Sequence, residues 1–169
     1  MGGDSSCVAI YGDHEGVEAA LGLLEKGSVE CRNISVIASA EEAPDCSVGL
    51  AMTGERVVLR GRQSSFWGGV RQRLPEISLF VIPAVGSIVV AGALGAVLVT
   101  VLEEVLNGLN IFRVTLSRVG VPSESVIAYE NAIKEGAYLL IVQGDVREAE
   151  RTHNLLLSGG ARDMAIHFS

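Results

Sequence analysis

The chain has 169 residues, a net charge of −7, 49% hydrophobic residues and a mean hydropathy of +0.39. That length holds one domain, or one domain carrying a large insertion. The acidic balance excludes a general nucleic-acid binder, although Arg56, Arg60, Arg62, Arg71 and Arg73 cluster in a stretch without acids.

Cys7–Tyr11 (CVAIY) is a short apolar, β-branched run closed by Gly12, the pattern of a strand. Asp13 suits a helix N-cap, and Val17, Ala20, Leu21 and Leu24 follow at helical spacing until Gly27. Asn33–Ala38 (NISVIA) is a second strand, which completes a βαβ unit over 7–38. Near the other end the same order returns. Ala137–Val142 reads as a strand, Asp145 and Glu148 have capping-box spacing, Leu155 and Leu156 fall in a helix stopped at Gly159–Gly160, and Asp163–Phe168 is a strand.

The two units align without a gap at a constant offset. Val8 matches Leu140, Ile10 matches Val142, Asp13 matches Asp145, Leu24 matches Leu156 and Ile34 matches Ile166. Two such halves in tandem predict an α+β domain of ferredoxin-like βαββαβ order with one antiparallel sheet. In it, 7–11 and 137–142 are central neighbours, and 33–38 and 163–168 flank them. One face then carries Val8, Ile10, Ile34, Val36, Leu140, Val142, Ile166 and Phe168 against the two repeat helices. The other carries Ala9, Tyr11, Ile37, Leu139 and Ile141, too apolar a set to be left wet.

Residues 46–120 form the insertion, within which 74–119 reads as a mostly helical hydrophobic hairpin. Glu41–Asp45 is a loop, Arg56–Leu59 a short extra strand and Ser64–Gly69 a turn. Leu74–Val85 is expected to be a short helix, broken by Pro83 and Gly86. A long helix is expected from Ile88, carrying Leu102, Leu109, Phe112, Leu116 and Val119 to Gly120, with Asn107–Gly108 as its weak point. Residues 121–168 supply a connecting helix, Ser123–Glu135, with Val126, Tyr129 and Ile133 on one side, and then the second half.

The uncharged run Ile77–Leu102 is long enough to meet a membrane, and it follows the arginine cluster. Pro83 and Gly86 shorten its unbroken part. A single span would also separate the βαβ halves, which must share a sheet. The run is therefore expected to be buried in protein, with a re-entrant hairpin against anionic lipid as the alternative.

The sequence IPAVGSIVVAGALGAVL, followed by VGVPSESVIAYENAIKEGAYLLIV, resembles a bacterial heat-induced or general-stress family of small α/β domains. The matching positions are Ile82, Pro83, Gly86, Gly120, Val121, Pro122, Tyr129, Glu130 and Gly136. The insert here is richer in Val and Leu than that family's, and the arginine segment departs from it too. The resemblance implies a stress-associated role and no catalytic residues.

Few residues suggest chemistry. His14, His153 and His167 lie far apart, with no metal-binding spacing. His153 takes the repeat position of Leu21 and reads as a partly buried core histidine, while His167 alternates away from Ile166. Gly12–Gly16 joins strand to helix but lacks a phosphate-loop pattern, and Asp13 and Glu15 would repel a phosphate. No nucleophile can be placed beside a base, so no enzyme, metal or cofactor is expected. Tyr129 and Glu130 are the weak candidates for a ligand.

Three cysteines, Cys7, Cys31 and Cys46, form no CxxC and are expected to be free thiols. The N-terminal run lacks the basic start and apolar core of a secretion signal. A cytoplasmic homo-oligomer, most simply a dimer, is the expectation, meeting through Leu94, Val97, Val101, Ile37, Leu139 and Ile141. A membrane surface and a small-ligand sensor with an apolar pocket are the rival readings.

Overall fold

The computed structural model describes residues 5–39, 74, 77–82, 86–104 and 111–167. The expectations at Glu41–Asp45, Arg56–Leu59, Ser64–Gly69, the arginine cluster, Cys46, Pro83, Asn107–Gly108 and Phe168 lie outside those residues, as does the side chain of Cys31.

The first unit forms as its sequence dictates. Strand β1 (Ser5–Tyr11) leads into α1 (His14–Lys26), whose N-cap Asp13 accepts a hydrogen bond from Gly16 N at 2.9 Å. Val17, Ala20, Leu21 and Leu24 are its buried residues, as the spacing requires. A 3-10 turn at Cys31–Asn33 precedes β2 (Ile34–Ser39).

The chain then forms β3 (Ile77–Ile82), β4 (Gly86–Gly92), α2 (Leu94–Glu104) and α3 (Ile111–Ser117). Then come α4 (Ser123–Lys134), β5 (Tyr138–Gly144), α5 (Val146–Leu156) and β6 (Asp163–His167). Asp145 caps α5 by accepting from Glu148 N at 2.8 Å, while the Glu148 carboxylate turns to Arg151 instead of closing a capping box.

The six described strands form one antiparallel sheet in the order β3-β4-β2-β5-β1-β6. β1 lies beside β5, with Ala9 opposite Leu140 and Val8 opposite Ile141. β6 pairs with the outer side of β1, and β2 with the outer side of β5.

Two expectations are corrected here. The first concerns 77–92, where the sequence predicts helix and the chain forms β3 and β4. Ile88 and Val90 point into one core while Val89 and Ala91 point into the other. A strand buried on both faces has no polar alternation, so its sequence is as apolar as a buried helix. Its β-branched residues suit the pleat, and the free edge of β2 gives it a partner. β2 is consequently an interior strand, not a flank.

The second correction concerns the faces of β1. Ala9 and Tyr11 share a core with Ile34, Val36, Leu140 and Val142, whereas Val8 and Ile10 join Ile37, Leu139 and Ile141. The gapless alignment holds through the caps and helices but slips by one residue in this strand. Tyr11 lies two positions before its cap Asp13, and the equivalent Val142 lies three before Asp145. One residue inverts every side chain of a strand.

The sheet thus separates two cores. On the first face α1 and α5 pack over Tyr11, Leu24, Val36, Leu140 and Leu156. On the second, α2, α3 and α4 pack over Ile10, Ile37, Phe80, Ile88, Leu139 and Ile141. The chain passes from β4 to α2 through Gly92, at φ +100, where an added Cβ would stand 2.2 Å from the Ile34 carbonyl oxygen. There the Ser35 hydroxyl accepts from Leu94 N at 3.0 Å. A side chain of β2 therefore caps the first helix of the insertion.

Candidate functional site

Along β6 the side chains alternate, so Asp163, Ala165 and His167 face the second core's side and Met164 and Ile166 the first. His167 does lie opposite in sense to Ile166, as its position predicts. It stands across from Ser6 of β1, and Ser6 stands across from Gln143 of β5. A row of three polar side chains therefore crosses the end of an otherwise apolar face.

Helix α4 brings the fourth member. Its inward face is Val126, Tyr129, Ala132 and Ile133, and the Tyr129 hydroxyl reaches His167 Nε2 at 2.6 Å. The rings meet edge to face, with centroids 5.8 Å apart and an interplanar angle of 77°. Burial raises the Tyr129 pKa to about 12, with the Asp163 carboxylate and then the Cys7 sulfur adding to the effect. Burial also lowers the pKa of His167. Both groups are held neutral near pH 7, and the pair works as a hydrogen bond joining α4 to an edge strand.

Two buried atoms beside it, Ser6 Oγ and Gln143 Nε2, have no hydrogen-bond partner among the described residues. On the first face Tyr11 Oη and Thr152 Oγ1 are in the same position. Burial, and then neighbouring Cys7, push Tyr11 up to about 12, and burial pushes the Cys7 thiol up to about 11. Cys7 is free, and at that pKa it is no nucleophile at neutral pH.

Tyr129 is thus joined to a residue that no local pattern pairs with it. Glu130, the other ligand candidate, is half-buried and stands outside this pair. His14, His153 and His167 sit on α1, α5 and β6, and His153 is half-buried while Leu21, its repeat equivalent, is fully buried. Among the described residues no group of three or more His, Cys, Asp or Glu could hold a metal ion. A shallow groove along α5 is lined by Arg147, Glu150, Arg151, Asn154 and Leu155; Arg151 is engaged by Glu148 and the Gly27 carbonyl.

Of the residues expected to meet a partner, Leu94, Val101, Ile37, Leu139 and Ile141 are each 0% exposed inside the second core. The apolar sheet face that called for a cover is covered by the chain's own helices. Only Val97 of that set keeps surface, half-buried on α2. Among the described residues no helix is long and apolar enough to cross a membrane. Ile77, Phe80 and Ile88–Ala91, expected in a helical hairpin, are strand residues buried against protein.

Polar residues on strands, buried Ser6 and Ser35 and half-buried Gln143, are the sequence signal that marks this row and the α2 cap. Comparison with family models, with curated proteins and with solved structures finds no match to this chain.

Proposed function

We propose that this chain is a non-enzymatic, self-associating α+β module of the stress-associated kind its sequence resembles. The order β2-β5-β1-β6 of the strands from the two repeat units supports a ferredoxin-like frame, extended by the insertion's hairpin. The observation that carries self-association is the surface of α2. From Leu94 to Leu102 the helix has no charged residue. Leu94, Leu98 and Val101 fill the core, yet Ala96 and Thr100 are exposed and Val97 and Val99 half-buried. The Thr100 hydroxyl is turned back onto the Ala96 carbonyl at 3.1 Å, so even that residue offers little polarity. Up to Glu103 the outward turns of α2 therefore present no charge, and that uncharged surface is what a partner would cover.

Sedimentation velocity of the full chain at micromolar concentration, without detergent, is expected to give a dimer. Val97→Lys, on the outward flank of α2, should shift it to monomer with unchanged circular dichroism. A wild-type monomer would overturn the reading. The small-ligand reading draws on the buried Ser6 Oγ and Gln143 Nε2, and native mass spectrometry of the purified chain tests it through any retained mass.

A further inference from the structure

We propose that β6 is a self-complementary edge, at which two copies of this chain pair antiparallel about Ala165 and continue one sheet into the other. The inference rests on the self-association proposed above and seats that dimer on β6 in a fixed register, in place of the contact through α2, so that Val97→Lys should leave it intact.

β6 ends the sheet, and among the described residues no strand lies along its outer side. Open edges are commonly blunted by proline, by charge, by a bulge or by brevity, and β6, five residues long, carries one charge, at Asp163. The run Asp163–His167 (DMAIH) has no proline or lysine and pairs with β1 in continuous register. Met164, Ala165, Ile166 and His167 are half-buried, so the strand is only partly covered by its own chain.

The sequence then selects the register. Residues directly opposite in an antiparallel pair share a face. With Ala165 opposite its own copy, Met164 meets Ile166 and Asp163 meets His167, each pair occurring twice by symmetry. The first face thus gains two apolar pairs and the second two carboxylate–imidazole pairs. The small side chain falls on the axis. A one-residue change of register sets Asp163 against Ile166, and larger shifts shorten the overlap. This is the isologous arrangement expected of a two-fold dimer.

The Tyr129 contact adds a chemical reason. In the tautomer in which Tyr129 donates to Nε2, a neutral His167 carries its proton on Nδ1. A carboxylate is a strong acceptor for that donor. Among the described residues Asp163 accepts only from its neighbour Met164 N, at 2.9 Å, which leaves its second oxygen for a partner.

The test uses the full chain. Ala165→Cys places two thiols across the axis at a spacing within reach of a disulfide. Mild oxidation should convert most of it to a covalent dimer, mapped to residue 165 by mass spectrometry. Wild type and Ala128→Cys, on the exposed side of α4, should not cross-link. Asp163→Lys, at an exposed position, should weaken the dimer at least about tenfold in sedimentation equilibrium. A wild-type dimer that Ala165→Cys fails to lock, or that ignores Asp163→Lys, overturns this inference and leaves the α2 reading standing, with Val97→Lys as its own check. A wild-type monomer overturns both.

Discussion

The helices that close the two faces of the sheet are capped in different ways. On the first, α1 and α5 carry aspartate caps and bury residues at regular helical spacing. On the second, α2 takes its N-terminal cap from Ser35 of β2 rather than from its own flank. The two cores are nonetheless built on shared strands, because β4 sends Val89 to one and Val90 to the other. The segment that forms β3, β4 and α2 shares its sheet and both cores with β2 and is therefore part of the folding unit. It is no appendage.

That claim meets its severest test when each core is emptied in turn. Phe80 and Phe112 are fully buried on the second face, and Leu24 on the first. Replacement of either phenylalanine by alanine should cost about 3–5 kcal/mol, and Leu24→Ala about 2–5 kcal/mol. Each is a large share of the ~5–15 kcal/mol that holds a domain of this kind. Urea unfolding followed by circular dichroism should stay a single transition in all three variants. A separate early transition confined to Phe112→Ala would show that the insertion melts alone.

Ser35→Ala tests the joint between the two regions. It leaves Leu94 N without its acceptor in a buried place, at a cost of about 1–3 kcal/mol. A loss below about half the lower figure would mean that α2 finds another cap.

The same contrast explains which parts of the fold are legible in the sequence. The first face is legible because its signals are local: Asp13 and Asp145 stand where a cap must, and Val17, Ala20, Leu21 and Leu24 mark one helical stripe. Periodicity fails for β4, where burial on both faces erases alternation, and neighbouring strands, not the sequence of β4, decide its form. The faces of β1 are hidden by one residue inserted between Val142 and Asp145, which no helix signal reports. Tyr129 and His167 are 38 residues apart, and only the sheet's register brings them together.

The caps should yield smaller, more uniform losses. Asp13→Ala and Asp145→Ala each remove an acceptor from an exposed helix start and should cost about 1 kcal/mol by urea midpoint. Helix α4 begins at Pro122 with no side-chain cap, so Ser123→Ala should change little. An equal loss at Ser123 would show that these differences reflect general surface perturbation.

The effect at the Tyr129–His167 pair is of the same order as a cap, and it is separable by pH. Burial holds the folded-state pKa of His167 below its unfolded value of about 6.5. Between those two values the unfolded chain binds more protons than the folded one, so protonation favours unfolding. The contribution is therefore complete above about pH 6.5, declines as pH falls toward the folded pKa, and is flat below it. His167→Gln keeps a polar side chain on β6 and removes the titration. Its urea midpoint should rise less between about pH 5 and 7 than that of wild type, whose other histidines are common to both. Tyr129→Phe removes the hydroxyl at 2.6 Å and should cost about 0.5–1.5 kcal/mol at neutral pH, where the imidazole is neutral. Parallel pH profiles for wild type and His167→Gln would show that the imidazole is as well solvated in the folded chain as in the unfolded one. The bond to Tyr129 would then be a surface contact rather than a tie between α4 and the edge of the sheet.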